Sequence, residues 1–129
     1  MSAAATEQTA SARYSAVETL ADRILGRLQE EVTRLGFDPS EVPLRPAVEA
    51  DYHLERDPAN GEYSLVGEWR DAKGMQLGNL LFHADGSFFV EHDIARIHPQ
   101  KQRWFVEAVN AWGKDERIKA EARLLPMPE

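Results

Sequence analysis

Three short turns that each contain a glycine constrain the fold of this chain more than any other feature. They are Asp57-Pro58-Ala59-Asn60-Gly61, Asp71-Ala72-Lys73-Gly74 and Ala84-Asp85-Gly86. Aspartate, asparagine and proline favour turns, and glycine readily takes the left-handed conformation that tight hairpin turns need. A short turn joins antiparallel neighbours. The sequence therefore predicts a four-stranded antiparallel meander over residues 50–57, 62–70, 75–83 and 87–95.

The segment before the meander has the periodicity of an amphipathic helix. Apolar residues recur every three or four positions at Tyr14, Val17, Ala21, Ile24, Leu28, Val32 and Leu35. This spacing predicts a helix over residues 11–35, and Gly36 is placed where a C-terminal cap belongs. Residues 1–9 have no apolar period and are expected to form a flexible N-terminus. Residues 37–49 contain three prolines and are expected to form an extended connector.

The last third of the chain combines a second helical pattern with a strand pattern. His98-Pro99 would open a helix over residues 99–112, with Phe105, Ala108, Val109 and Trp112 on one face. From Ile118 to Leu124, apolar and charged residues alternate, which predicts a C-terminal strand. The expected fold is thus a two-layer α+β sandwich. It would form one domain over residues 10–129, of a size that can bury its own core.

Composition excludes several classes of function. The chain of 129 residues has no cysteine, which rules out disulfides and thiolate metal sites. Its net charge is −7, and residues 37–95 hold 4 Lys/Arg against 12 Asp/Glu, so we expect no nucleic-acid partner. No apolar run is long enough to span a membrane, and the N-terminus has no export signal. We therefore expect a cytoplasmic protein without a membrane partner.

Turn chemistry also predicts a strand register and, from it, a candidate chemical site. In this register Asp51, Glu68 and His92 lie in one row on one face, with Gly78 between Glu68 and His92 and with His53 nearby. A carboxylate beside an imidazole can work as an acid–base pair or bind a small ligand. No recognised metal-ligand spacing is present, because alternation places Glu91 and Asp93 on the face opposite His92. We expect no metal and no cofactor.

The same register leaves both faces of the sheet apolar, and this favours association. A helix of residues 11–35 would be longer than the strands beneath it, so part of its apolar stripe would overhang the sheet. We predict burial of that overhang in a homodimer through an isologous contact. The candidate interaction residues are Tyr14, Ile24 and Leu28 on this helix, and Trp104, which lies beside the apolar stripe of the second predicted helix.

The chain has a leading amphipathic helix followed by an antiparallel meander, and its pI is low, near 5.1. In these features it resembles small acidic secretion chaperones. The fourth consecutive strand departs from the helix that interrupts the sheet of those chaperones. The resemblance implies a protein partner. Since no convergent catalytic set is visible, the sequence favours a non-catalytic protein-binding module. The alternative is a small-ligand or metal-binding protein, or a small enzyme, that uses the cluster of Asp51, His53, Glu68 and His92.

Overall fold

The computed structural model describes residues 3–45, 49–114 and 117–128, which form one long helix and a six-stranded antiparallel sheet. Helix α1 (Ala3–Arg34) is followed by a short 3-10 helix (Pro39–Glu41). The strands are β1 (Asp51–Arg56), β2 (Tyr63–Arg70), β3 (Gln76–Phe82), β4 (Ser87–Ile97), β5 (Trp104–Lys114) and β6 (Arg117–Pro126). Each strand pairs with the next one along the chain. The α+β class and the antiparallel pairing are confirmed, but the meander has six strands instead of the predicted four, and the predicted C-terminal strand is its sixth member.

Helix α1 ends as the sequence predicts but begins earlier. The amide of Gly36 donates to the carbonyl of Thr33, and that of Phe37 donates to Val32, as in a Schellman cap. Gly36 has a φ of 102°, in the region that favours glycine. Helical geometry already starts at Ala3, so part of the predicted flexible segment belongs to the helix. Met1 and Ser2 lie outside the described residues, as do Pro46 and its two successors in the predicted connector.

The predicted second helix is wrong, because residues 104–112 belong to strand β5. A bulge between Val106 and Val109 explains the error. The pairing of β5 with β6 shifts register there, so both valines are buried although they are three positions apart. Two buried residues at this spacing imitate the period of a helix, whereas an unbroken strand would show strict alternation. The proline after His98 lies in the turn between β4 and β5.

His98 connects this turn to the C-terminal end of α1. The side chain is 2% exposed, and its Nε2 donates to the carbonyl oxygen of Leu35 at 2.8 Å. Nδ1 accepts hydrogen bonds from the backbone amides of Gln100 and Lys101. The ring also packs edge-on against Phe37. One buried imidazole therefore satisfies backbone groups from two segments that are far apart in sequence.

Two of the three predicted hairpin registers are confirmed. Asp51 pairs with Glu68 and Gly78 pairs with His92, as expected. Between β2 and β3, however, Glu68 pairs with Asn79 instead of Gly78, because a bulge at Leu77 shifts every pair beyond Arg70–Gln76 by one residue. Because side chains alternate between faces, this shift exchanges the two faces of β3 and β4 relative to β1 and β2.

The resulting sheet has one face covered by α1, the inner face, and one face without a covering helix, the outer face. The helix approaches β6 most closely, then β5 and β2, while β3 and β4 lie farther from it. Most of the core lies between α1 and the inner face, and it includes the fully buried Val32 of the helix and Leu65, Val106 and Val109 of the sheet. Among the described segments, no helix combines the length and apolarity that crossing a membrane requires.

Candidate functional site

A cavity of about 470 Å³ lies between α1 and the middle of the inner face. The helix contributes one wall, and the sheet contributes the other through Tyr52, Trp69, Leu80, Val90, His92 and Val109. The connector after the 3-10 helix closes one side with Leu44, whose side chain is 5% exposed. The volume is within the range of small-molecule sites, about 300–1,000 Å³, and the lining is mainly apolar, as such sites usually are.

Two glycines on the inner face permit close packing in the rows that include Tyr52 and His92. Gly67 lies between Tyr52 and Leu80 in one cross-strand row, and Gly78 lies between Trp69 and His92 in the next. A Cβ on Gly67 would come within 2.8 Å of the Tyr52 ring. A Cβ on Gly78 would collide with the backbone carbonyl of Glu91. Neither position can accept a larger residue without a shift of its neighbours, so each glycine permits a close approach of the residue beside it.

His92 is the polar group that lies deepest in this cavity. It is 6% exposed, and its Nδ1 is 3.0 Å from the carbonyl oxygen of Leu44. A carbonyl only accepts, so Nδ1 carries the proton and Nε2 keeps its lone pair. No described residue hydrogen-bonds to Nε2. Burial lowers the pKa of His92, against the opposing effects of Leu44 and Asp93, and the ring is therefore neutral at pH 7.

Polar and aromatic side chains surround the mouth of the cavity. The rings of Tyr14 and Tyr52 meet edge to face at 5.2 Å, and both residues are partly exposed. A hydrogen bond to the carboxylate of Glu18 raises the pKa of Tyr14. Arg45 lines the opening and contacts Asp22 on the helix at 3.6 Å. The site thus has a polar rim around an apolar interior that contains one hydrogen-bond acceptor.

The residues that the sequence singled out divide between this cavity and other places. Tyr14, Ile24 and Leu28 were predicted as part of an interaction surface, and all three line the cavity together with His92. Trp104 lies elsewhere, at the start of β5, and is 41% exposed. Whether any of these residues binds a partner protein stays a prediction.

The predicted row of Asp51, Glu68 and His92 does not form. Asp51 pairs with Glu68 as expected, but both lie on the outer face, whereas His92 lies in the cavity. His53 also lies on the outer face, where its Nε2 contacts Glu55 at 2.9 Å. The bulge at Leu77 explains why the row does not form, because it exchanges the faces on which the side chains of β3 and β4 lie relative to those of β1 and β2. Within the described residues, no three metal-ligating side chains come together.

The outer face carries two adjacent cross-strand rows of contrasting chemistry. The first, here called the apolar row, runs through neighbouring strands from β2 to β5 as Val66, Leu81, Phe89 and Trp112. The second, the carboxylate row, contains Asp51, Glu68, Asn79, Glu91, Asn110 and Glu121. Within the carboxylate row, Glu68 contacts Arg70 at 2.8 Å and Glu121 contacts Arg123 at 2.5 Å. Neither row is covered by α1.

The sequence did not predict that Trp69 lines a site. Its place in the strand pattern indicates a core residue, and only the packing of α1 against the sheet leaves it beside a cavity.

Comparison of the chain with family models, with curated proteins and with solved structures finds no match.

Proposed function

We propose that this protein is a non-catalytic binding protein whose cavity takes one small, neutral and largely apolar molecule with a hydrogen-bond donor. The observation that carries the proposal is the Nε2 lone pair of His92, to which no described residue hydrogen-bonds, inside an apolar cavity of about 470 Å³. A hydrogen bond contributes about 0.5–1.5 kcal/mol, so a ligand that supplies an O–H or N–H gains from pairing with this nitrogen.

The chemistry of the lining favours a neutral ligand over a charged one. His92 is neutral and can only accept at Nε2, so it offers nothing to a carboxylate or phosphate oxygen. An ion in the apolar interior would also lose its hydration without a charged partner. The charged groups that line the cavity, Glu18, Arg45 and Glu49, belong to the helix and to the connector.

Binding is a better proposal than catalysis because His92 is not part of a relay. Its Nδ1 contacts a backbone carbonyl, whereas a catalytic imidazole is usually oriented by a carboxylate and paired with a nucleophile. This keeps the non-catalytic role that the sequence favours. The small ligand belongs to the alternative that the sequence leaves open, with the cavity as its site instead of the cluster of Asp51, His53, Glu68 and His92.

The test uses N-phenyl-1-naphthylamine, a neutral apolar fluorophore with one N–H donor. We expect saturable binding with a dissociation constant of about 1–100 μM. Ala21→Phe places a ring in the cavity and should weaken binding by about tenfold or more. Ala12→Phe is the matched control, since it adds the same ring at an exposed position of the same helix. The proposal fails if both variants bind the fluorophore as the unchanged protein does.

A further inference from the structure

We infer that the outer face of the sheet is a docking surface for a cationic amphipathic helix of a partner protein. The apolar row and the carboxylate row carry this inference together. Each alone is an ordinary feature of a sheet surface, but side by side they form one apolar line with acidic groups along one border. The opposite border includes Lys114, and Lys119 lies next to Trp112 on β6. The inference is independent of the cavity, which lies on the other face.

The dimensions of the apolar row match a short helix. Val66, Leu81, Phe89 and Trp112 lie on four neighbouring strands, so the row extends for about 14 Å at 4.8 Å per strand. A helix covers that distance in about ten residues. Leu81, Phe89 and Trp112 are each partly exposed, and the described part of the chain has no helix on this side. An apolar helix stripe laid across the strands would cover all four side chains.

Charge determines the kind of helix. Glu91, at the centre of the carboxylate row, has a raised pKa, first from burial and then from the neighbouring charges of Asp93 and Glu107. Carboxylates that repel one another in this way gain from an incoming cation. Lysine or arginine residues beside the apolar stripe of a partner helix would lie over this row. A second copy of the chain is a poorer occupant, because it brings a net charge of −7 to another net charge of −7.

The probe is a synthetic helix of about 12 residues, made of leucine and lysine with all leucines on one face. A peptide of the same composition with its leucines scattered is the control for simple charge attraction. Binding is measured by calorimetry at about 0.05 M and about 0.3 M salt. We expect the amphipathic peptide to bind more tightly than the scattered one, with a loss of affinity at the higher salt.

Matched variants locate the surface. Glu68→Gln with Glu91→Gln should weaken peptide binding by roughly three- to tenfold. Glu30→Gln with Glu41→Gln removes the same charge from exposed positions outside the sheet and should leave affinity nearly unchanged. Leu81→Ala tests the apolar row and should also weaken binding, with thermal unfolding as the check on its fold. The inference would be overturned if the Glu68/Glu91 double variant and the Glu30/Glu41 double variant lost the same amount of affinity for the peptide. A dimer of the protein alone that Leu81→Ala dissociates would also overturn it, because a second copy would then cover the face.

Discussion

Trp69 lies directly opposite Gly78 across β2 and β3. Trp69 and His92 lie on either side of Gly78 in this row, and both line the cavity. The glycine is required there, because a Cβ would collide with the carbonyl of Glu91 on β4. The pairing follows from the bulge at Leu77, which adds one residue to β3. This extra residue brings Trp69 to the same face as His92, the only buried imidazole among the described residues that line the cavity.

Replacement of this glycine should disturb both the fold and the cavity. Gly78→Ala forces β3 away from β4, and we expect a loss of about 2 kcal/mol or more in the free energy of unfolding. Gly26→Ala is the matched control, because a Cβ at Gly26 meets nothing within 4 Å and the residue lies inside α1. That variant should gain about 0.5–1 kcal/mol. Urea unfolding of both proteins checks the pair, and a Gly78→Ala protein of unchanged stability would contradict this account of β3.

The lowered pKa of His92 makes a specific prediction about pH. In the unfolded chain the histidine takes up a proton near its ordinary pKa of about 6.5, whereas the folded protein does so only at lower pH. The unfolded state therefore binds more protons in this interval. The stability that the neutral ring contributes is complete above about pH 6.5 and is lost as the pH falls towards the folded pKa.

We expect His92→Gln to lose less stability than the unchanged protein between about pH 7.5 and about pH 5.5. His53→Gln is the matched variant for removal of a histidine outside the cavity, because its side chain is exposed on the outer face. The loss of stability is measured as the difference between the urea unfolding midpoints at the two pH values. The explanation is wrong if His92→Gln and the unchanged protein have the same pH dependence.

His98 should be the most destabilising histidine to remove. His98→Ala deletes its hydrogen bonds to Leu35, Gln100 and Lys101 and leaves space beside Phe37. We expect a loss of about 3 kcal/mol in the free energy of unfolding. His53→Ala should change it by less than about 0.5 kcal/mol, because that side chain is exposed. Thermal and urea unfolding measure both variants, and the account of His98 is wrong if His53→Ala is as destabilising as His98→Ala.

Self-association through α1 and Trp104 stays a prediction from the sequence. The helix has 32 residues and would be about 48 Å long, more than any of the strands. Sedimentation from micromolar to millimolar concentration should show a dimer, and Trp104→Ser should weaken it. A mass that remains near 14.6 kDa over this range would remove the prediction.

The parts of the fold that could be predicted are those in which local pattern and structure agree. Gly36 marks the end of α1, and Gly86 lies in the tight turn between β3 and β4, where Phe82 pairs with Phe88. Both glycines have a positive φ, as their sequence context indicates. The bulges could not be predicted in this way. A bulge adds one residue without a distinctive composition, and it changes the face of every residue beyond it.

The site was predictable only in part for the same reason. The stripe that includes Tyr14, Ile24 and Leu28 follows from helical periodicity alone, and these residues do line the cavity. His92 was correctly placed opposite Gly78, but its position relative to Glu68 depended on a register that the bulge at Leu77 changes. The cavity itself arises from the distance between α1 and the central strands, a tertiary property without a local pattern.

The most direct test of the proposed function is a nuclear magnetic resonance titration with 2-naphthol, a neutral aromatic alcohol, that follows the ring nitrogens of His92. We predict that Nδ1 is protonated in the free protein, and that the Nε2 resonance moves on addition of 2-naphthol but much less on addition of naphthalene, which has no donor. Backbone signals of the outer face, such as those of Leu81 and Phe89, should stay unchanged. The account would be contradicted if 2-naphthol shifted the outer-face signals and left both ring nitrogens of His92 where they were.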